Sequence, residues 1–276
     1  MMNKSPIDWC DFTWNPVTGC RHTCEYCYAR KIARRFCGDV RLNKSSGQIK
    51  QWLPDDPKDT KDNILYVLPE PFKAEGKTPL QFPTGFSPTL HEYRLPMPAQ
   101  KKKPANIFVC SMADLFGAWV PDEWIRRVFD ACEAAPWHNY LFLTKNPQRL
   151  IELGEKGLLP TKENYWYGTS ITDENTQFFY SEEHNCFLSV EPLMGAFGND
   201  SAIPPAIKWV IVGAETGNRR GKVAPQREWI ENIIEAAGIT HAAVLLKDSK
   251  EMRAVWGDDL IQQFPATLQH GKEDGK

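Results

Sequence analysis

The chain has 276 residues, 42% of them hydrophobic and 25% charged, with a formal net charge of −2. A chain of this size builds one large domain or two small ones around a sizeable core, and a near-neutral balance creates no global basic field that would demand a nucleic-acid partner. No charged start leads into an apolar run and no apolar stretch reaches spanning length, so a cytoplasmic protein with no membrane partner is expected.

Residues 7–14 mix apolar and polar positions, include Trp9 and Trp14, and read as a short strand feeding the turn Asn15-Pro16-Val17-Thr18-Gly19. The turn runs directly into Cys20-Arg21-His22-Thr23-Cys24-Glu25-Tyr26-Cys27-Tyr28, three thiols in Cys-x3-Cys-x2-Cys spacing. One loop can hand all three to a single metal centre. A structural zinc or an electron-carrying four-iron cluster takes four protein ligands, so a set of three points to a fourth position left for a substrate or cofactor. The rival readings are a structural zinc or iron-sulfur binding module without further chemistry, with His22 or Cys10 completing the set, and plain buried thiols. The remaining five of the eight cysteines are scattered, and Cys110, Cys132 and Cys186 fall in apolar runs, a distribution that fits a reducing compartment.

After Cys27, Tyr28, Ala29, Ile32, Ala33 and Phe36 recur at helical spacing, with Arg30, Lys31, Arg34 and Arg35 on the other faces as a solvated side and Gly38 as the stop. Residues 38–104 contain ten prolines and only short apolar pieces. They read as an insertion without a core of its own, either a lid over the site or a surface decoration. Beyond Pro104 the chain becomes regular. Strands are expected at 107–110, 140–144, 165–169, 186–190, 208–212 and 242–246, with helices at 121–136, 147–155, 227–237 and, more weakly, 173–183. Strands that are almost wholly apolar and alternate with helices predict an α/β domain over residues 1–264 with a parallel sheet covered on both faces, followed by a frayed tail, 265–276. Periodicity does not tell a curved sheet from an open one. In parallel barrels the active site gathers at the strands' C-terminal ends. Here those ends run into Ser111 and Asp114, Thr144 and Lys145, Ser170 and Asp173, Ser189 and Glu191, Glu215, and Lys247 and Asp248.

The cysteine spacing and the aromatic Tyr26 before the last thiol resemble the signature of the radical SAM superfamily. More closely, Thr13-Trp14-Asn15-Pro16-Val17-Thr18-Gly19-Cys20 and Ser111-Met112-Ala113-Asp114-Leu115-Phe116 resemble a bacteriophage-borne branch of radical SAM-like proteins. The resemblance implies a partial (β/α)6 TIM-like barrel, with the Pro-rich insertion after the first helix and the absent helix before the sixth strand as departures. It implies a [4Fe-4S] cluster on Cys20, Cys24 and Cys27, S-adenosyl-L-methionine (SAM) as the second cofactor, and reductive cleavage of SAM to a 5'-deoxyadenosyl radical. An electron donor such as flavodoxin or ferredoxin would serve it. By position, Ser111 and Asp114 would meet the SAM amino group, though without the usual Gly-Gly-Glu pattern. Ser170 would meet its ribose or carboxylate, Glu191 and Glu215 adenine and substrate, and Tyr26 or Tyr28 the adenine. The substrate, be it nucleic acid, peptide or small molecule, is not named by any motif.

Overall fold

The computed structural model describes residues 2–53, 64–74, 78–198 and 202–268. The chain opens with β1 (Asn3–Lys4), β2 (Phe12–Trp14) and β3 (Val17–Thr18), then the cysteine loop and α1 (Tyr28–Arg35). Next come α2 (Val40–Ser45), β4 (Lys50–Trp52), β5 (Leu65–Leu68), β6 (Thr89–His91) and α3 (Met97–Gln100). The regular part then runs through β7 (Asn106–Val109), α4 (Asp122–Glu133), β8 (Asn139–Thr144), α5 (Pro147–Glu155), β9 (Tyr165–Ile171) and β10 (Asn185–Val190). It closes with β11 (Ile207–Val212), α6 (Arg227–Ile239), β12 (Ala243–Leu246) and α7 (Lys250–Trp256).

Eight strands form one sheet in the order β1-β2-β7-β8-β9-β10-β11-β12, in which every pair from β2 to β12 is parallel and β1 alone is antiparallel. The strands are apolar on both faces because both faces are covered. One set of alternate residues, including Tyr140, Phe142, Tyr165, Tyr167, Leu188, Val210 and Val244, joins the apolar sides of α4, α5 and α6 in the main core. The other set, Phe108, Leu141, Trp166, Phe187, Trp209 and Leu245, gathers around Trp9 in a second, inner cluster. The ring of Trp9 lies 4.5 Å from Phe108 on β7 and 6.4 Å from Trp209 on β11. Those strands are four places apart in the sheet, about 19 Å in a flat one at the usual strand spacing. A single side chain reaches both, so the sheet is strongly curved around its inner cluster.

The segment 38–104 departs from its expected character. Its strands join β3 in a second sheet of order β3-β6-β5-β4, and Leu65, Val67 and Leu90 enter the main core beside Val17. The part of the expected insertion at 54–63, and residues 75–77, lie outside the described residues. No helix forms over the expected span 173–183. There the Asp173 carboxylate accepts from the Asn175 N–H (2.9 Å) and the Thr176 hydroxyl (3.1 Å), closing a local turn that competes with helical bonding. The helix α7 was not expected from periodicity. It starts at Ser249, whose hydroxyl accepts from the Met252 N–H at 3.0 Å, and is anchored by buried Met252. Of the tail expected to be frayed, residues 269–276 lie outside the described residues, whereas Leu268 is buried and its carbonyl accepts from Asn106 Nδ2 at 2.8 Å.

Candidate functional site

Because the strands run in parallel, β2 and β7 to β12 deliver their following residues to the same edge of the sheet, and the cysteine loop leaves from that edge. Gly19 fixes its departure. Its φ of +87° suits glycine, and a Cβ there would lie 2.3 Å from the Ser87 carbonyl oxygen, so no side chain fits. The Gly19 N–H donates to the Met112 carbonyl at 2.9 Å, and Asn15 Oδ1 accepts from the Met112 N–H (2.8 Å) and the Ser111 hydroxyl (3.2 Å). At the far end of the loop Cys27 caps α1, its Sγ accepting from the Arg30 N–H at 3.3 Å.

Asp114 ties the loop down. It is 4% exposed, and its carboxylate accepts from His22 Nε2 (2.8 Å), the Thr144 hydroxyl (2.7 Å), the Lys145 N–H (2.9 Å) and the Phe116 N–H (3.1 Å). These partners come from the cysteine loop, the end of β8 and the Asp114 turn itself. One buried carboxylate thus joins three segments, with every bond to it charge-assisted.

Lys145, the first residue after β8, stands at the middle of the site. Its Nζ donates to Ser170 Oγ at 2.5 Å and lies 5.3 Å from the centre of the Tyr26 ring. Burial lowers its pKa, while the nearby Cys24, Asp114, Glu191 and Cys20 oppose that shift. Ser170 in turn donates to the Glu191 carbonyl at 3.2 Å. The Glu191 carboxylate pairs with Lys247, and the pair crosses the face of Gly213, where a Cβ would meet Glu191 Cγ at 3.0 Å and Lys247 Cδ at 3.2 Å. Glu215 is almost wholly buried and accepts from Arg219 Nε (2.6 Å) and Nη2 (2.8 Å). Those hydrogen bonds hold its pKa below the usual carboxylate range. Arg219 also reaches Glu25 in the cysteine loop at 3.4 Å, an exposed contact of small energetic weight.

The thiols are neighbours. The Cys20 thiol is pushed up to about 12, first by burial, with Asp114, Cys27 and Cys24 adding to the shift. Tyr26 is also raised by burial, with Cys24, Cys27 and Glu215 contributing. Among the described residues no three His, Cys, Asp or Glu side chains are grouped as ligands of a single metal ion. That has no bearing on a cubane, in which each thiolate takes a separate iron. Cys10 lies in the inner cluster with its Sγ donating to Ser5 Oγ at 3.2 Å, and Cys110, Cys132 and Cys186 are buried in the main core.

A model of the family described as "Protein of unknown function (DUF5131)" matches residues 4–258. The chain belongs to this family. No curated protein and no solved structure matches it. The family match takes in all three cysteines and every strand from β2 to β12.

Of the residues nominated from sequence, Tyr26, Asp114, Ser170, Glu191, Cys20 and Cys24 meet around Lys145, and Cys27 adjoins Cys20 and Tyr26. Glu215 adjoins Tyr26, and Ser111 is oriented by Asn15 while its carbonyl accepts from the Tyr28 hydroxyl at 2.8 Å. Asn15, Arg219 and the bond of His22 to Asp114 were not foreseen. The one signal for Lys145 and Lys247 was their shared place, a lysine directly after an apolar strand. For Arg219, in a Gly-rich loop, sequence offered none.

Proposed function

We propose that this protein is a radical SAM enzyme. The supporting observation is that a three-thiol loop and the polar residues following the parallel strands meet at one edge of a strongly curved sheet. In this reading the sheet is a partial (β/α)6 barrel with its mouth at that edge, and Cys20, Cys24 and Cys27 hold a [4Fe-4S] cluster. The donor set fits such a group, because both candidates for a fourth protein ligand are engaged elsewhere, His22 with Asp114 and Cys10 with Ser5. When held by the three cysteines, such a cluster would supply the electron for reductive cleavage of SAM to methionine and a 5'-deoxyadenosyl radical.

The chain's own residues bind and orient. Lys145, partly stripped of water, offers a cation to the SAM carboxylate, and Ser170 holds that ammonium in place. Tyr26 and Ser111 provide an aromatic face and polar groups beside the thiols. Glu191 and Glu215 are each fixed by a basic partner and would be the groups to meet adenine and substrate. Asp114 acts as a positioning residue, since its carboxylate is filled by protein donors. An electron donor of the flavodoxin or ferredoxin class would reduce the centre.

The test is anaerobic reconstitution with iron and sulfide, then incubation with dithionite and SAM and mass spectrometry of the products. The expected result is 5'-deoxyadenosine and methionine, both lost in Cys24→Ala. Stoichiometric zinc without iron, or no 5'-deoxyadenosine above the variant, overturns the assignment.

A further inference from the structure

Beside the cysteine loop, on the side of the second sheet, lies a cavity of about 660 Å3 whose wall includes Cys20. Among the described residues that line it, four are cations, Arg21, Arg30, Arg34 and Lys44, and none is acidic. Arg30 and Arg34 are one turn apart on α1, Lys44 lies on α2 and Arg21 on the loop itself, so three short stretches of chain bring like charges together. Like charges repel, and a fold ordinarily offsets them with carboxylates. Elsewhere the molecule does so: Arg126, Arg149, Arg219, Arg227 and Arg253 each pair with an Asp or Glu. Among the described residues none of the four cavity cations has such a partner. Arg21 and Arg30 donate to the carbonyls of Ile64 and His22, Lys44 sits 4.5 Å from the centre of the Tyr66 ring, and Arg30 sits 5.6 Å from that of Phe86.

Among the described residues the basic excess extends past the cavity. Residues 15–53 carry eight Lys or Arg against two Asp or Glu, and Lys31, Arg35 and Arg41 are exposed on α1 and α2. A positively charged hollow with aromatic walls is how proteins hold single-stranded nucleic acid, the cations taking phosphates and the rings and guanidinium planes taking bases. The cavity volume far exceeds one phosphate, and the surrounding cations suit a polymer better than a free nucleotide. We infer that this cavity binds a single-stranded nucleic acid and leads it to the cysteine loop. As the substrate site of the proposed enzyme this rests on the radical SAM reading, whereas as a binding site it stands apart from it.

The experiment is fluorescence anisotropy on the full-length, anaerobically purified protein, with labelled RNA and DNA strands of about twelve nucleotides. Salt is varied between about 50 and 200 mM, and four phosphate contacts give a slope of log affinity against log salt near about −3. Arg34 and Lys44 are exposed and are not among the thiol-loop contacts, so Arg34→Gln combined with Lys44→Gln should fold with an unchanged melting temperature. It should bind at least about tenfold more weakly, with the slope shallower by about 1.4. Cys24→Ala should bind like the wild type, which separates this inference from the chemistry at the thiols. Tighter binding of RNA or of DNA identifies the strand. Binding of neither, equal binding by the double variant, or displacement of the strand by equimolar ATP would each overturn the inference.

Discussion

The two sheets of this molecule handle charge and apolar surface differently. From β7 onward, long apolar strands are buried on both faces and the arginines of the covering helices are matched by carboxylates. Between β3 and α3 the strands are two to four residues long, prolines interrupt the chain, and the cavity cations stand together without a carboxylate partner among the described residues. The first region is arranged for stability. The second keeps unspent electrostatic potential beside the cysteine loop, and it holds its place by sending Leu65, Val67 and Leu90 into the first region's core.

Core truncations on each side give the largest effects and the sharpest test of that dependence. Phe187→Ala in the inner cluster should cost about 3–5 kcal/mol, and Leu90→Ala in the small sheet about 2–5 kcal/mol. Both should lower one shared thermal transition. A separate, earlier transition in Leu90→Ala alone would show instead that the small sheet folds as an independent unit.

A smaller effect is expected where the regions meet the cysteine loop. Asp114→Ala leaves the Thr144 hydroxyl and the Phe116 and Lys145 N–H groups without their acceptor and should cost about 1–3 kcal/mol. In the proposed enzyme it should also reduce iron incorporation, with Asp114 acting by positioning the cysteine loop through His22. Full iron content alongside a lowered melting temperature would confine Asp114 to a stability role.

The smallest predicted effect concerns acid. His91 in β6 is fully buried, with its Nε2 2.8 Å from the Thr18 hydroxyl, and burial holds its pKa well below the ordinary 6.5, Arg94 adding to the shift. A group depressed on folding contributes stability that is present above its unfolded value and lost as pH falls through its folded value. The melting temperature should therefore decline as pH drops below about 6.5, and less steeply in His91→Gln. Identical slopes for the two proteins would assign the acid response to other groups.

The parallel strands were legible because each is a compact apolar run flanked by turn residues, and α4 was legible down to its buried face of Trp124, Ile125, Val128, Phe129 and Cys132. The second sheet was not. Its pairings join Val17 to Leu90 and Tyr66 to Thr89, and strands this short fall below any window in which a period can be counted. Residues 173–183 were expected as a weaker helix, yet a side-chain bond at Asp173 captured the local donors. At the site, cysteine spacing is a property of one short stretch and could be read directly. The knot at Asp114 includes a bond to His22, 92 positions away, so it becomes visible only when the chain is folded.

The glycine at position 19 has a mechanical consequence. Its α-carbon is seated against the backbone of residues 87–88, leaving no room for even a methyl group, and the next residue, Cys20, donates its N–H to the Phe86 carbonyl at 3.3 Å. The small sheet cannot slide over the large one without carrying Cys20 with it.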